Sequence, residues 1–118
     1  MSQEPNKKIL FRNKDIVIFT LTWQPGDHGI IHYHSGSHIS LTKVLQGQIT
    51  ETHFDKIGDK FSESISNIYY DGQVLTDGSL EAHELSNKSD SPTITLHTEM
   101  PPMQETPVQK EKIILWRK

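Results

Sequence analysis

The 118-residue chain contains no cysteine, which removes a set of chemistries at once: no disulfide, no thiolate metal ligand, no cysteine nucleophile and no cysteine-derived crosslink can form. Charge of one sign is missing too. Lys and Arg total 12 against 15 Asp and Glu, a formal charge of -3, with the two signs interspersed and no basic run. Nucleic acid and acidic membrane surfaces are therefore not expected as partners. No apolar stretch reaches the length of a membrane span, and Met1 to Lys8 is polar without the apolar core of a signal peptide. The expectation is a soluble cytoplasmic protein. Sustained helical periodicity is also absent, so long amphipathic helices are not expected.

What is present is a succession of short β-branched and aromatic runs. Strands are expected at Ile9-Leu10-Phe11, Ile16 to Trp23, around His32, Ile39 to Gln46, Ile49 to Phe54, Ser66 to Tyr70, Glu81 to Leu85, Thr93 to Glu99 and Lys112 to Trp116. Between them stand turn signals: Gly26 and Gly29, Gly47, Gly58, Asp71-Gly72, Asp77-Gly78 and the polar loop Asn87 to Pro92. Pro101-Pro102 and Pro107 interrupt the tail. Many short strands at near-regular spacing predict an all-β sandwich or barrel, and the jelly roll is the form that also encloses a pocket. The length suits one domain with one modest core, expected over residues 9–118 behind a flexible arm, Met1 to Lys8. The last strand would pair at a sheet edge or with a second copy, which makes a homodimer an expectation.

Chemistry concentrates on histidine. His32 and His34 occupy alternate positions of one expected strand and so share a face, where both can hold one ion while Tyr33 points away. His83 follows on another strand. Three neutral nitrogens leave a divalent ion with open positions for substrate, as a catalytic site requires. Imidazoles choose only weakly among iron, zinc, nickel and manganese. His28, His38 and His53 read as ordinary histidines, with His38 near the rim of the site.

Two blocks of the chain resemble the cupin superfamily and, within it, the cysteine dioxygenase family of thiol dioxygenases. The first runs from Trp23-x-Pro25-Gly26 through His32-x-His34, Ser37-His38, Lys43-Val44-Leu45-Gln46-Gly47 and Glu51-Thr52. The second is Gly78, His83, Asn87, then Thr95-Leu96-His97 and Pro101-Pro102. The resemblance implies a cupin-type double-stranded β-helix, a jelly-roll barrel, with mononuclear non-haem iron(II) held by His32, His34 and His83. It implies a reaction in which a small thiol and dioxygen give a sulfinate. Arg12 matches the arginine that clamps the substrate carboxylate, a task suited to paired guanidinium hydrogen bonds. Relatives carry a longer N-terminal region, so a more open pocket is expected here.

The departures are equally specific. The usual cupin glutamate after the paired histidines is replaced by His38, Ile39 and Ser40, which leaves the all-histidine set of the thiol dioxygenases. Thr95, His97 and Glu99 occupy the alternating line that the family fills with serine or threonine, histidine and tyrosine before a Pro-Pro turn. They are the catalytic candidates beside the metal. Glu99 stands where the tyrosine is expected, and an ionised carboxylate cannot donate a proton as a phenol does. The resemblance implies a small thiol, cysteine or an analogue, as the substrate. The resembling turn also implies a cis bond at Met100-Pro101. Two alternatives stay open: a metal-binding cupin that serves as a small-ligand sensor or carrier without turnover, and a cupin enzyme using another metal without oxygen chemistry. For His97 alone, the structural alternative is a buried imidazole satisfied by Thr95.

Overall fold

The computed structural model describes residues 4–33, 39–77, 82–102, 106–108 and 113–114. Among them are eleven strands and no helix: β1 (Asn6–Arg12), β2 (Val17–Trp23), β3 (His32–Tyr33), β4 (Ile39–Gln46), β5 (Gln48–Ile57), β6 (Lys60–Tyr70), β7 (Val74–Asp77), β8 (Ala82–Ser86), β9 (Thr93–Met100), β10 (Thr106–Pro107) and β11 (Ile113–Ile114). They form two sheets, in the order β1-β2-β9-β4-β7 and β10-β3-β8-β5-β6-β11. Neighbours are antiparallel except β11, which runs parallel to β6. This is the all-β class expected from the patterning.

The chain changes sheets between β4 and β5 at a single residue. Gly47 makes that corner with φ of 89°, a conformation that L side chains resist. Space forbids a side chain as well, because a Cβ there would stand 2.7 Å from Thr93 Oγ1 and 2.9 Å from the Pro92 carbonyl oxygen. The core lies between the sheets, where Trp23, Val44, Ile49, Leu75 and Leu85 are buried together with Leu21 and Tyr69 against them. Asn87 pins the β8–β9 loop to this core. Fully buried, it donates from Nδ2 to the carbonyls of Trp23 and Ser91 at 3.1 and 2.8 Å, and its Oδ1 accepts from Ser89.

Three expectations need correction. The arm expected through Lys8 is already strand from Asn6, because β1 pairs with β2 from Asn6↔Thr22 onward. β6 starts at Lys60, six residues before the expected Ser66; its first half is too polar to signal a strand alone and is held by pairing with β5 from Ile57↔Lys60. The proline-interrupted tail contributes β10, in which Thr106 and Pro107 pair with Tyr33 and His32. Proline is tolerated there because β10 is an edge strand. Of the expected last strand, Ile113 and Ile114 pair within the chain with Phe61 and Ser62, and residues 112 and 115–116 lie outside the described residues. Met100-Pro101 is cis.

β9 lies in the middle of its sheet and buries the wrong residues for an ordinary core. Thr93, Thr95, His97 and Glu99 are buried, while Ile94, Leu96 and Met100 on the opposite face are only half-buried. Alternation along the strand therefore turns a polar line inward, toward the facing sheet. A cavity of about 300 Å³ lies against that line.

Candidate metal centre

Cross-strand register assembles a histidine row on the facing sheet. His32 on β3 pairs with His83 on β8, and His83 pairs on its other side with His53 on β5. Directly opposed residues project from the same face, so the three rings neighbour one another. The Nε2 atoms of His32 and His83 approach to 3.1 Å. Their other nitrogens fix the tautomers. His32 Nδ1 lies 2.9 Å from the Ile30 carbonyl oxygen and His83 Nδ1 lies 2.9 Å from Glu51 Oε2, and both partners are acceptors. Each Nδ1 therefore carries the proton and donates it. The two Nε2 atoms then meet lone pair to lone pair, and such an approach is favourable only with a proton or a metal cation shared between them. Two nitrogens about 2.0–2.1 Å from one ion would be separated by roughly this distance. His34, the third expected nitrogen, and His38 lie outside the described residues.

Glu51 is the site residue that patterning alone does not single out. Its carboxylate is buried and accepts from His83 Nδ1 through Oε2, while Oε1 lies 3.2 Å from His53 Nε2. The Tyr69 hydroxyl also donates to it; burial first, then the charge and hydrogen bond of Glu51, raise the Tyr69 pKa above 10.0. The signal in the sequence is the Glu51-x-His53 alternation, which places both groups on the face of β5 that meets His83. His53 is thus a partner of the carboxylate beside the site rather than an ordinary histidine. His28 faces Glu84 at 3.4 Å and does not line the cavity.

Across the cavity, Thr95, His97 and Glu99 line up as the alternation predicts. Trp23 Nε1 donates to Thr95 Oγ1 at 2.9 Å, and the same hydroxyl shares a hydrogen bond of 2.6 Å with His97 Nε2. His97 Nδ1 is hydrogen-bonded to Thr42 Oγ1 at 3.1 Å. The Phe19 ring stacks on the imidazole with centroids 4.9 Å apart and planes 1° from parallel. Burial, with the Lys7 charge adding to it, lowers the His97 pKa from 6.5 to about 3. His97 is therefore a neutral imidazole with both nitrogens engaged. Glu99 is buried one position further along the same face, beside Val17 and Ser40, and lines the cavity with His32, His83 and His97.

Arg12 is placed differently from the expectation. The register shift between Ile9 and Phe11 puts it opposite Val17, on the face that carries Glu99, but at the exposed end of β1 and outside the described lining of the cavity. Lys7, on the same strand, is the one Lys or Arg among the described lining residues.

The sequence model of the family described as cysteine dioxygenase type I matches residues 7–111. Cysteine dioxygenase type 1 of Danio rerio is 33% identical over 93 residues, covering 74% of this chain and 46% of that protein. The chain thus spans about half the length of that curated relative. Among solved structures, a cupin domain from Bordetella pertussis Tohama I superposes with a TM-score of 0.63 at 15% identity, over 85% of this chain and 96% of that one. A protein with a double-stranded β-helix domain from Klebsiella pneumoniae gives 0.68 at 18% identity, over 91% and 86%. These two similarities establish the fold as the cupin double-stranded β-helix.

Proposed function

This chain belongs to the cysteine dioxygenase type I family, and from that membership and the geometry of its cavity we propose that it is a metal-dependent thiol dioxygenase. The reaction is RSH + O2 → RSO2⁻ + H⁺: both oxygen atoms end on sulfur, which loses four electrons as dioxygen gains four. His32, His34 and His83 would hold the metal, with iron(II) as the proposed ion. When bound, it supplies a common binding site for thiolate and dioxygen and a route for electrons between them.

The observation that carries the reading is the convergence of His32 Nε2 and His83 Nε2 at 3.1 Å with both Nδ1 protons already committed. Around that point the protein's own groups divide the work. Glu51 holds the His83 tautomer and strengthens its donor nitrogen, an arrangement common behind metal-ligating histidines. Trp23, Thr95, His97 and Thr42 form a hydrogen-bonded wall that binds without changing charge at neutral pH. Glu99 is the carboxylate of that wall and is assigned the thiol's proton. Phe19, Leu21 and Leu85 line the remainder and exclude water from the reacting sulfur. Glu99 in the tyrosine's place also supports a second reading, a metal-bearing cupin that binds a small ligand without turnover.

The test is oxygen uptake by anaerobically iron-loaded protein given cysteine, cysteamine and 3-mercaptopropionate, with sulfinate followed by mass spectrometry. Stoichiometric uptake with one of them is expected. Absence of uptake at full iron occupancy would hand the site to the sensor or carrier reading. His83→Ala is expected to lose most bound metal while the circular dichroism of the fold persists; full retention would place the metal elsewhere.

A further inference from the structure

Two pairings join the histidine strand β3 and the chain leading into it to β8, and they do not share one register. His28 bridges Ser86, and His32 pairs with His83, so the chain takes four residue steps on the β3 side against three on β8. Gly29 N still donates to the Leu85 carbonyl at 2.9 Å, in the register of the first pairing, and the surplus residue therefore falls at Ile30-Ile31 as a β-bulge. That bulge decides where His32 points. Directly opposed residues share a face: His28 lies with Ser86 and Glu84 on the outward face, and His32 with His83 on the cavity face. Three steps along β8 change faces, whereas four steps on the other side would return His32 to the face of His28. Only the surplus residue turns it inward.

The C-terminal tail grips the bulge from the side opposite β8. Thr106 and Pro107 of β10 stand opposite Tyr33 and His32, and Val108 N donates to the Ile31 carbonyl at 2.8 Å. Antiparallel ladders alternate bonded and non-bonded pairs, so Thr106 and Val108 turn their N–H groups to β3 and Pro107, which has none, falls between them. The tail is attached again at the other edge of the sheet, where Ile113 and Ile114 pair with Phe61 and Ser62. A flat sheet would hold β10 and β11 about 24 Å apart, more than the roughly 18 Å that the chain from Val108 to Ile113 can span. The sheet is curled instead, and Tyr33 of β3 stacks on Phe61 of β6 with centroids 6.4 Å apart although β8 and β5 lie between those strands.

We propose that β10 is the register lock of the metal centre: by tying the bulge at Ile31 it keeps His32 turned to His83, which makes Val108 a positioning residue of the site. That the site takes a metal rests on the reading above; that the tail sets His32 rests on register. Without the tie the surplus residue is free to slip along the ladder, and a slip of one residue turns His32 to the outer face.

The experiment compares Val108→Pro, which lacks the donor to Ile31, with Val108→Ala, which keeps it, and with Pro107→Ala, at the position whose N–H points away from β3. Cobalt(II) titration against a chelator measures affinity, and the visible d–d bands report the ligand number. Val108→Pro is expected to lose about tenfold in affinity and to show the bands of a site with fewer protein ligands, while the other two stay within about twofold of wild type. A lower urea midpoint with affinity and bands unchanged would reduce β10 to a structural strand and overturn the lock, as would an equal loss in Val108→Ala. In metal-free protein the register is read directly. The nuclear Overhauser contact between the His32 and His83 rings is expected in wild type and absent in Val108→Pro; its persistence overturns the lock whatever the metal does. Its loss in a protein that takes up no cobalt removes the metal reading and leaves the lock standing. If Val108→Pro does not fold, wild type decides. Coupling is reciprocal, so zinc(II) is expected to slow hydrogen exchange of the Val108 amide about tenfold relative to β7, an edge strand outside the described lining of the cavity. An unchanged ratio overturns the proposal.

Discussion

Glu51 shows how one buried carboxylate sets the chemistry of its neighbours. It accepts hydrogen bonds from His83 and Tyr69 and lies 3.2 Å from His53 Nε2, so a group costly to bury is satisfied from three strands. Under the proposed ligation its negative charge makes His83 Nε2 a better donor and locks the ring against rotation. Glu51→Gln keeps the shape but removes the charge and can present an amide N–H toward Nδ1. Metal affinity is expected to fall by about 10- to 100-fold, the usual effect of removing such a partner. Chelator competition at fixed pH measures it. Unchanged affinity would mean that His83 does not bind metal through the nitrogen opposite Glu51. The residue scale is also where the sequence is least sufficient: the shared face of Thr95, His97 and Glu99 and the place of His32 are legible from alternation, and His83 from the family resemblance, but Glu51 and Lys7 gain meaning only from register across strands.

At the scale of elements, the β4–β5 corner is the joint on which the two sheets depend. Gly58 and Gly47 both adopt positive φ, at 64° and 89°, yet a Cβ at Gly58 meets nothing within 4 Å, whereas one at Gly47 strikes Thr93 and Pro92. Thr93 Oγ1 is not free to retreat, since it donates to the Gln48 carbonyl at 2.6 Å. Gly58→Ala is therefore expected to cost only the conformational penalty, about 1 kcal/mol. Gly47→Ala adds a steric clash and a weakened buried hydrogen bond, for a total of about 3 kcal/mol or more. Urea unfolding of the two variants side by side measures the difference; equal losses would show that the corner relaxes without cost. Most strands were legible because β-branched runs bounded by Gly, Asn and Asp identify them, as with β4, predicted from Ile39 to Gln46 and found there. The first half of β6 and the two-residue β10 were not, because partners rather than intrinsic preference hold them.

Over the whole molecule, buried polar side chains outnumber buried apolar ones, 14 to 9 among the described residues, so stability depends on how well the polar interior is satisfied. His97 makes that dependence sensitive to pH. Its pKa is about 3 in the folded protein against 6.5 for an unperturbed histidine, because burial and the Lys7 charge oppose its protonation. Between those values the unfolded chain binds a proton that the folded protein refuses, and stability therefore rises with pH. The contribution runs in one direction: nothing is lost above about pH 6.5, and stability falls by up to about 1.4 kcal/mol per pH unit as acidity increases toward pH 3. His97→Gln keeps hydrogen-bonding capacity toward Thr95 and Thr42 but cannot titrate. Near pH 7 the variant is expected to be the less stable, having lost the stack on Phe19. The gap should narrow steadily from pH 6 to pH 4, where only the wild type loses stability to an unprotonated buried imidazole. Urea midpoints of metal-free protein across that range decide the matter, and a gap that stays constant would mean that His97 takes up its proton in the folded state as readily as in the unfolded chain.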